Sequence, residues 1–341
     1  MPKDSLKMSS DRKNSMKPIA SVSLDLDNQW SYLRSHGDKS WEEFPSYLDV
    51  AVPRILEFLS AHDLNITFFI VGKDASLAKN RNAIRSIADA GHEIASHSFM
   101  HEPWLHLYSK QELIDDLEKT EDALFEVTGK RPKGFRGPGF SLSPTVLEVL
   151  GERGYEYDCS TLPTFAAPLA RAFYFLKSPK VSAEEKERLK KLFGKFSDGF
   201  QTLKPHNIDA GGRDLIEIPV TTFPFVKTPI HVTYLMYLAS FSNIAARLYW
   251  KSALAACKVT GVEPSLLLHP LDLLSAEDVP ELKFFPGMNV AAAKKRELLD
   301  LVVGSLKSKY NIVTMREHAD DARAKLVAAH KSVPTAEVSQ N

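Results

Sequence analysis

The chain has 341 residues, 44% hydrophobic and 25% charged, enough to bury a large core and to form one big α/β domain or two ordinary ones. Lys+Arg and Asp+Glu stand at 43 each, so no global field favours nucleic acid or an anionic membrane, and nucleic acid is set aside as a partner. Cys159 and Cys257 are the only cysteines, too few for a disulfide framework and wrongly spaced for a metal knuckle.

Residues 1–17 are polar, mixed in charge and without the apolar stretch of a signal peptide; they read as a disordered arm, and the protein as cytoplasmic. Apolar runs of β type then alternate with helical patterns. Ile19–Leu24 reads as a strand, followed by a helix near Tyr47–His62, a strand at Ile66–Val71, a helix near Arg81–Ala90 and a strand at His92–Ser96. Ser109–Thr128 is the clearest helix: Leu113, Leu117, Leu124 and Val127 form one stripe, Ser109 with Glu112 is a capping-box pair, and Gly129 stops it. Gly134–Arg136 is a short strand, and Ser143-Pro144 opens the next helix as N-cap and first-turn proline. Tyr155–Asp158, Leu215–Val220, Ser265–Leu268 and Ile312–Met315 complete the strands, with helices near Ser242–Lys258 and Ala291–Lys309. Such alternation predicts a parallel sheet covered by helices, either barrel or doubly wound.

Two segments break the rhythm. Leu162–Asp214, with its charged run AEEKERLKK, reads as a lid-like insertion over one face. Thr228–Ala246 carries no Lys, Arg, Asp or Glu, but Pro229, His231 and Asn243 interrupt it; it reads as a buried or lid segment in place of a spanning helix, with peripheral membrane contact through 228–246 as a further role. The end from about Ala324, assigned to 321–341, reads as a loose tail.

Polar residues fall at the carboxyl ends of the expected strands: Asp25 and Asp27 after the first, His97 and His101 after the third, then Arg136, Asp158 and, after Leu266–Leu268, His269. In a β/α barrel those ends share the face that carries the active site. Eleven histidines make some His-x-x-x-His pair roughly a one-in-three event, so the pair alone says little. Two imidazoles four apart meet one ion if they lie on a helical turn, and a carboxylate such as Asp27 completes the three protein ligands of an open catalytic site. Standing alone, Asp25 or Asp27 would cap a loop, Arg136 would be a salt-bridge arginine and His269 a core histidine.

Together these segments resemble the polysaccharide deacetylases of the NodB-homology type, across about residues 18–320 apart from the insertion 162–214. Ser23-Leu-Asp-Leu-Asp-Asn28 stands for the family's T-F-D-D-G, His97-Ser-Phe-Met-His101 for H-[ST]-x-x-H after the string AGHEIAS, Arg136-Gly-Pro-Gly139 for R-x-P-Y, and Leu267-Leu-His269 for L-x-H. The resemblance implies a deformed (β/α) barrel of about seven strands and one divalent ion, zinc foremost, with cobalt, nickel, manganese or iron as alternatives. It implies Asp27, His97 and His101 as ligands, Asp25 as base, Arg136 pairing with Asp25, His269 as acid and Leu267 lining an acyl pocket. Three departures stand out: Asp-Leu-Asp widens the aspartate spacing, Gly139 replaces an aromatic whose part falls to Phe140, and the aspartate that orients the acid is missing, leaving Asp158 as a stand-in by position.

The function so implied is hydrolysis of a carbon–nitrogen bond other than a peptide bond, N-deacetylation of an amino sugar or its activated or lipid-linked precursor. Deformylation of a lipid-linked 4-amino sugar is the alternative within the fold, metal-independent opening of a cyclic C–N bond a weaker one, and a non-catalytic carbohydrate-binding descendant the reading from another class. Intact ligands and base speak against the last two, and Ser98 at the glutamate position speaks against an H-E-x-x-H protease.

Overall fold

The computed structural model describes residues 17–166 and 196–331; residues 167–195 of the expected insertion and the ends of the chain lie outside them. The elements are β1 (Ile19–Leu26), α1 (Gln29–His36), α2 (Leu48–Ala61), β2 (Thr67–Ile70), α3 (Gly72–Ser76), α4 (Arg81–Asp89), β3 (Glu93–Ser96), α5 (Lys110–Thr128), β4 (Gly134–Phe135), α6 (Pro144–Glu152), β5 (Tyr157–Asp158), β6 (His206–Asp209) and β7 (Asp214–Glu217). There follow α7 (Val232–Phe241), α8 (Asn243–Thr260), β8 (Ser265–Leu268), α9 (Ala292–Lys309), β9 (Asn311–Val313) and α10 (Met315–Lys331).

The strands form one sheet in the order β6-β7-β5-β4-β3-β2-β1-β8, with β9 also on β1; every pairing is parallel except β6 with β7. The sheet curls until its ends meet. Thr221, just past β7, donates its N–H to Ser265 O at 3.0 Å, and Ser265 N–H donates to Thr221 Oγ1 at 2.8 Å. The parallel strands of the curl are β7, β5, β4, β3, β2, β1 and β8, the expected deformed barrel; β4 and β5 are only two residues each.

Strand alternation divides the chemistry from the core. In β1, Ala20, Val22, Leu24 and Leu26 join the large cluster beneath α2, α4, α8 and α9, while Ser21, Ser23 and Asp25 point the other way. The capping box on α5 is present, with Ser109 accepting from Glu112 N–H and Glu112 accepting from Ser109 N–H, and Gly129 closes that helix at φ 71°. Ser143 accepts from Val146 N–H at the start of α6.

Two expectations need correction. The loose tail assigned to 321–341 is helix as far as Lys331, because Met315, Ala319, Ala322 and Leu326 set one apolar stripe of α10 against Tyr157 and Ile216. Part of the expected insertion is ordered strand: β6 pairs antiparallel with β7 and forms the sheet edge. The segment 228–246, expected to be buried or a lid, contains α7, whose Val232, Leu235 and Met236 are indeed buried in the main core.

Candidate active site

Asp25 occupies the penultimate position of β1, and Asp27 follows the strand's end. Asn28 then caps α1, and its amide donates to Asp74 Oδ1 at 2.7 Å and Ser46 Oγ at 2.9 Å, which fixes the chain where it leaves the sheet. Asp74 is buried and also accepts from Trp30 Nε1 and Asn80 Nδ2; burial pushes its carboxyl up to about 7 against these hydrogen bonds. The Tyr47 hydroxyl donates to the backbone carbonyl of Asp27.

His97 continues the ladder of β3, its N–H donating to Ile70 O at 3.0 Å. The histidine pair does not lie on a helical turn as its spacing suggests. Ser98 at φ 58° and His101 at φ 48° are both left-handed, and the segment is a loop. Its shape is imposed from outside: Gly72 and Lys73 N–H at the start of α3 donate to the carbonyls of Ser98 and Phe99, and Phe99 N–H donates to Asp116 Oδ1. Gly72 is needed for that approach, since a Cβ there would sit 2.8 Å from both Phe99 Cδ2 and the Thr120 backbone.

The loop brings His101 Nε2 to 3.0 Å and His97 Nε2 to 3.5 Å from the same oxygen, Asp27 Oδ1. One ligand atom from each of Asp27, His97 and His101 lies within 4.8 Å of the others, the only such three-ligand group among the described residues. His97 Nδ1 lies 2.6 Å from the Arg136 carbonyl, which can only accept, so Nδ1 carries a proton and Nε2 is the nitrogen turned inward. Burial pushes Asp27 up, but the charges and hydrogen bonds of His101 and His97 outweigh it and hold the carboxyl well below its usual range. Asp27 Oδ1 is nonetheless a buried oxygen with no well-formed hydrogen bond. One carboxylate and two imidazole nitrogens around such an oxygen fit a divalent ion of the zinc type, with a position left for water.

Asp25 stands beside this group. Its Oδ2 is 3.9 Å from His97 Nε2, and its Oδ1 accepts from Arg136 Nη1 at 2.6 Å. Arg136 is 1% exposed, which no surface arginine would be. It also donates to Ser23 Oγ and the Cys159 carbonyl and lies 4.2 Å over the Phe69 ring. A buried guanidinium so fixed pairs with the adjacent carboxylate and holds it in place.

His269 lies one residue beyond the Leu24–Leu268 pair, hence at the level of Asp25 on the neighbouring strand, and Leu267 is buried opposite Ser23. The His269 N–H donates to Asp272 Oδ2 at 2.8 Å, and Nδ1 meets the Thr233 hydroxyl of α7 at 3.0 Å. Gly139 and Phe140, both at positive φ, form the turn after Arg136; a Cβ on Gly139 would lie 3.6 Å from Pro103 Cβ, two residues past His101. Asp158 is not brought to His269. It sits in register with Glu217 of β7 and accepts from Ser160 N–H and Oγ; burial pushes Asp158 up against these hydrogen bonds, and burial together with the Asp158 carboxyl pushes Glu217 well up. The group that meets the His269 ring is Thr233, which has no strand-end position to betray it. His231 is the other residue missed: its ring centroid is 6.3 Å from that of His269, its Nδ1 is buried without a partner, and burial lowers it to about 3.

Residues 40–157 match the family model described as polysaccharide deacetylase, so the resemblance carried by the motifs holds over that stretch. A peptidoglycan deacetylase of Helicobacter pylori is 30% identical over 148 residues, 42% of this chain and 50% of its own length. A peptidoglycan-N-acetylglucosamine deacetylase of Listeria monocytogenes is 33% identical over 29% of this chain and 21% of its own. A chitin deacetylase of Colletotrichum lindemuthianum is 30% identical over 33% and 46%. The chain thus spans half or less of the length of these curated relatives. The fold extends further than the sequence similarity. A solved structure from Mycobacterium smegmatis, provisionally described as a polysaccharide deacetylase, superposes with a TM-score of 0.61 at 22% identity, covering 92% of this chain and 93% of its own. The allantoinase Puue does so with a TM-score of 0.57 at 19% identity, covering 92% of both.

Proposed function

We propose that this chain, whose residues 40–157 are of the polysaccharide deacetylase family, is a metal-dependent amide hydrolase that removes a small acyl group from an N-acylated amino sugar or a glycoconjugate precursor. The observation that carries this reading is the pairing of Asp25 with a buried Arg136 on one side and His97 on the other, beside the Asp27–His97–His101 group. A structural ion site would use the three ligands and have no need of a second, separately held carboxylate.

Asp27, His97 and His101 would hold the ion, zinc first among the divalent metals. When bound, it supplies Lewis acidity toward the amide carbonyl and toward water. Asp25, held by Arg136, takes the proton of the attacking water at one carboxylate oxygen. His269, at the same level on β8, gives a proton to the departing nitrogen, which cannot leave as an amide anion. Thr233 and the backbone link to Asp272 orient that imidazole, the part first given to Asp158. Leu267 lines the space for the acyl methyl or hydrogen, which restricts the leaving acid to acetate or formate, and Gly139 with Phe140 borders it. A free amine and a short carboxylate are the products.

The test is Asp25→Asn on the purified chain with an N-acetylglucosamine oligomer as substrate. Amine release should fall by about 10²–10⁴ while the ion content stays near that of the unmodified protein. Full activity in Asp25→Asn would remove the base; a chain with its ion but no deacetylation of any N-acyl sugar would overturn the reading.

A further inference from the structure

From Ile218 to Val262 the sequence contains no Asp or Glu, while Lys227, Arg247, Lys251 and Lys258 are basic. The global balance of charge conceals this segment, and the fold turns it into a surface. At 100° per residue, α8 buries Ala246, Trp250, Ala253, Leu254 and Cys257 on one side. The opposite side carries Ile244, Leu248 and Val259, exposed by 73%, 60% and 80%, interleaved with Arg247, Lys251 and Lys258. The stripe continues onto the end of α7 through Tyr237 and Phe241, whose rings touch at 5.1 Å, with Phe241 72% exposed. The turn between Thr222 and Pro229, bound to α8 by the Thr228–Tyr249 hydroxyl contact, adds exposed Phe225 and Val226.

A soluble helix normally turns its polar side outward, and α8 instead exposes an apolar stripe edged only by cations. Arg247 and Lys251 are four apart, so they repel each other on the helix, and neither forms an ion pair with a described residue. We infer that this face docks on an anionic lipid surface, with α8 lying in the plane of the headgroups. Apolar side chains would enter the boundary region and the basic ones pair with phosphates. No helix of the described residues is long and apolar enough to cross a membrane, in keeping with in-plane contact. A second copy of the chain fits less well, because self-association would oppose Arg247 and Lys251 to their own counterparts with no carboxylate on the face to meet them. The face differs from the earlier expectation for 228–246: Leu235, at the middle of that stretch, is wholly buried, and the contact lies on α8 and at the end of α7. The same helix also reaches the active site, since α7 carries Thr233 against His269 at one end and Phe241 at the other, roughly 15 Å apart at most for a ten-residue helix. The inference does not depend on the hydrolase reading.

The experiment is co-sedimentation of the full chain with phosphatidylcholine vesicles with and without phosphatidylglycerol. Binding should require phosphatidylglycerol and fall as salt rises. Arg247→Ala/Lys251→Ala should lower the partition coefficient roughly 25-fold, about fivefold per cation, and Ile244→Ser/Leu248→Ser should lower it as well. Ile244, Leu248 and Lys251 are exposed and Arg247 is half-buried, so the melting temperature of each variant is followed, and Lys251→Ala alone, expected to lower partitioning about fivefold, reads the charge independently of Arg247. No binding to phosphatidylglycerol vesicles, binding indifferent to salt, or binding by either double variant equal to that of the unmodified chain would overturn the proposal. So would light scattering that shows a dimer which Ile244→Ser/Leu248→Ser dissociates.

Discussion

The two walls of the site are held in different ways. Asp25, Asp27, His97 and Arg136 stand on or just beyond strands β1, β3 and β4, joined through β2 in one parallel sheet, and backbone ladders fix their spacing. Buried links such as His97 to the Arg136 carbonyl and Arg136 to Ser23 then lock the side chains. His269 also starts from a ladder, on β8, but its ring is set by Thr233 from α7 and its backbone by Asp272. The first wall falls mostly within the stretch that matches the family model or just before it, the second wholly outside that stretch. Ladder-held groups keep their geometry when one side chain changes, whereas a histidine oriented by single contacts from a separate helix depends on each of them.

The largest effect should come from the ladder-held wall. His101→Ala should reduce the ion content from about one per chain to near zero and take turnover with it, leaving the fold intact because His101 sits on a loop; an ion retained at full stoichiometry would place the ligands elsewhere. On the other wall, His269→Ala should cost about 10²–10⁴ in turnover of an N-acetyl substrate. The loss should be far smaller for an activated aryl acetate, whose leaving group needs no proton. Equal losses on both substrates would mean that His269 shapes the site without donating a proton. Thr233→Val tests the difference between the walls most directly. It removes a hydroxyl contact normally worth about 0.5–1.5 kcal/mol, so turnover should fall roughly two- to tenfold with the ion content unchanged. No change in rate would mean that β8 alone orients the histidine.

Much of the first wall was legible in the sequence because strand ends are: the expected strands at Ile19, His92 and Gly134 end in Asp, His and Arg, and a parallel barrel collects such ends on one face. What was not legible depends on pairing across the sheet or on backbone shape. Asp158 looked free to orient His269, but its partner is decided by the register that sets it against Glu217. His97 and His101 met one oxygen as their spacing suggested, yet through two left-handed residues pinned by α3, which spacing alone cannot reveal. β6 escaped because HNID alternates between half-buried and exposed and carries no apolar signal. In α10 the stripe Met315, Ala319, Ala322, Leu326 was written in the sequence but thinned by alanine and surrounded by charge.

The smallest expected effect on rate concerns the support beneath the second wall. Lys295 of α9 is 2% exposed, and its Nζ donates to the carbonyls of Leu271 and Leu274, on either side of the Asp272 that holds His269. Burial pushes its ammonium down to about 8, with Asp272 and Asp278 pulling the other way. In the unfolded chain a lysine titrates near about 10.4. Between these values the unfolded chain binds the proton and the folded chain does not, so stability must rise with pH across that window, by on the order of 3 kcal/mol if Lys295 acts alone. Below pH 8 the charged ammonium is buried in the folded state and the gain is absent. Lys295→Met keeps the apolar stem and removes the titration, so urea unfolding between pH 8 and 10 should lose this rise, while turnover changes by less than in Thr233→Val. An undiminished rise in Lys295→Met would assign the pH dependence to another group. A turnover loss larger than that of Thr233→Val would instead show that the second wall leans on its backbone support more than on the hydroxyl that touches the ring.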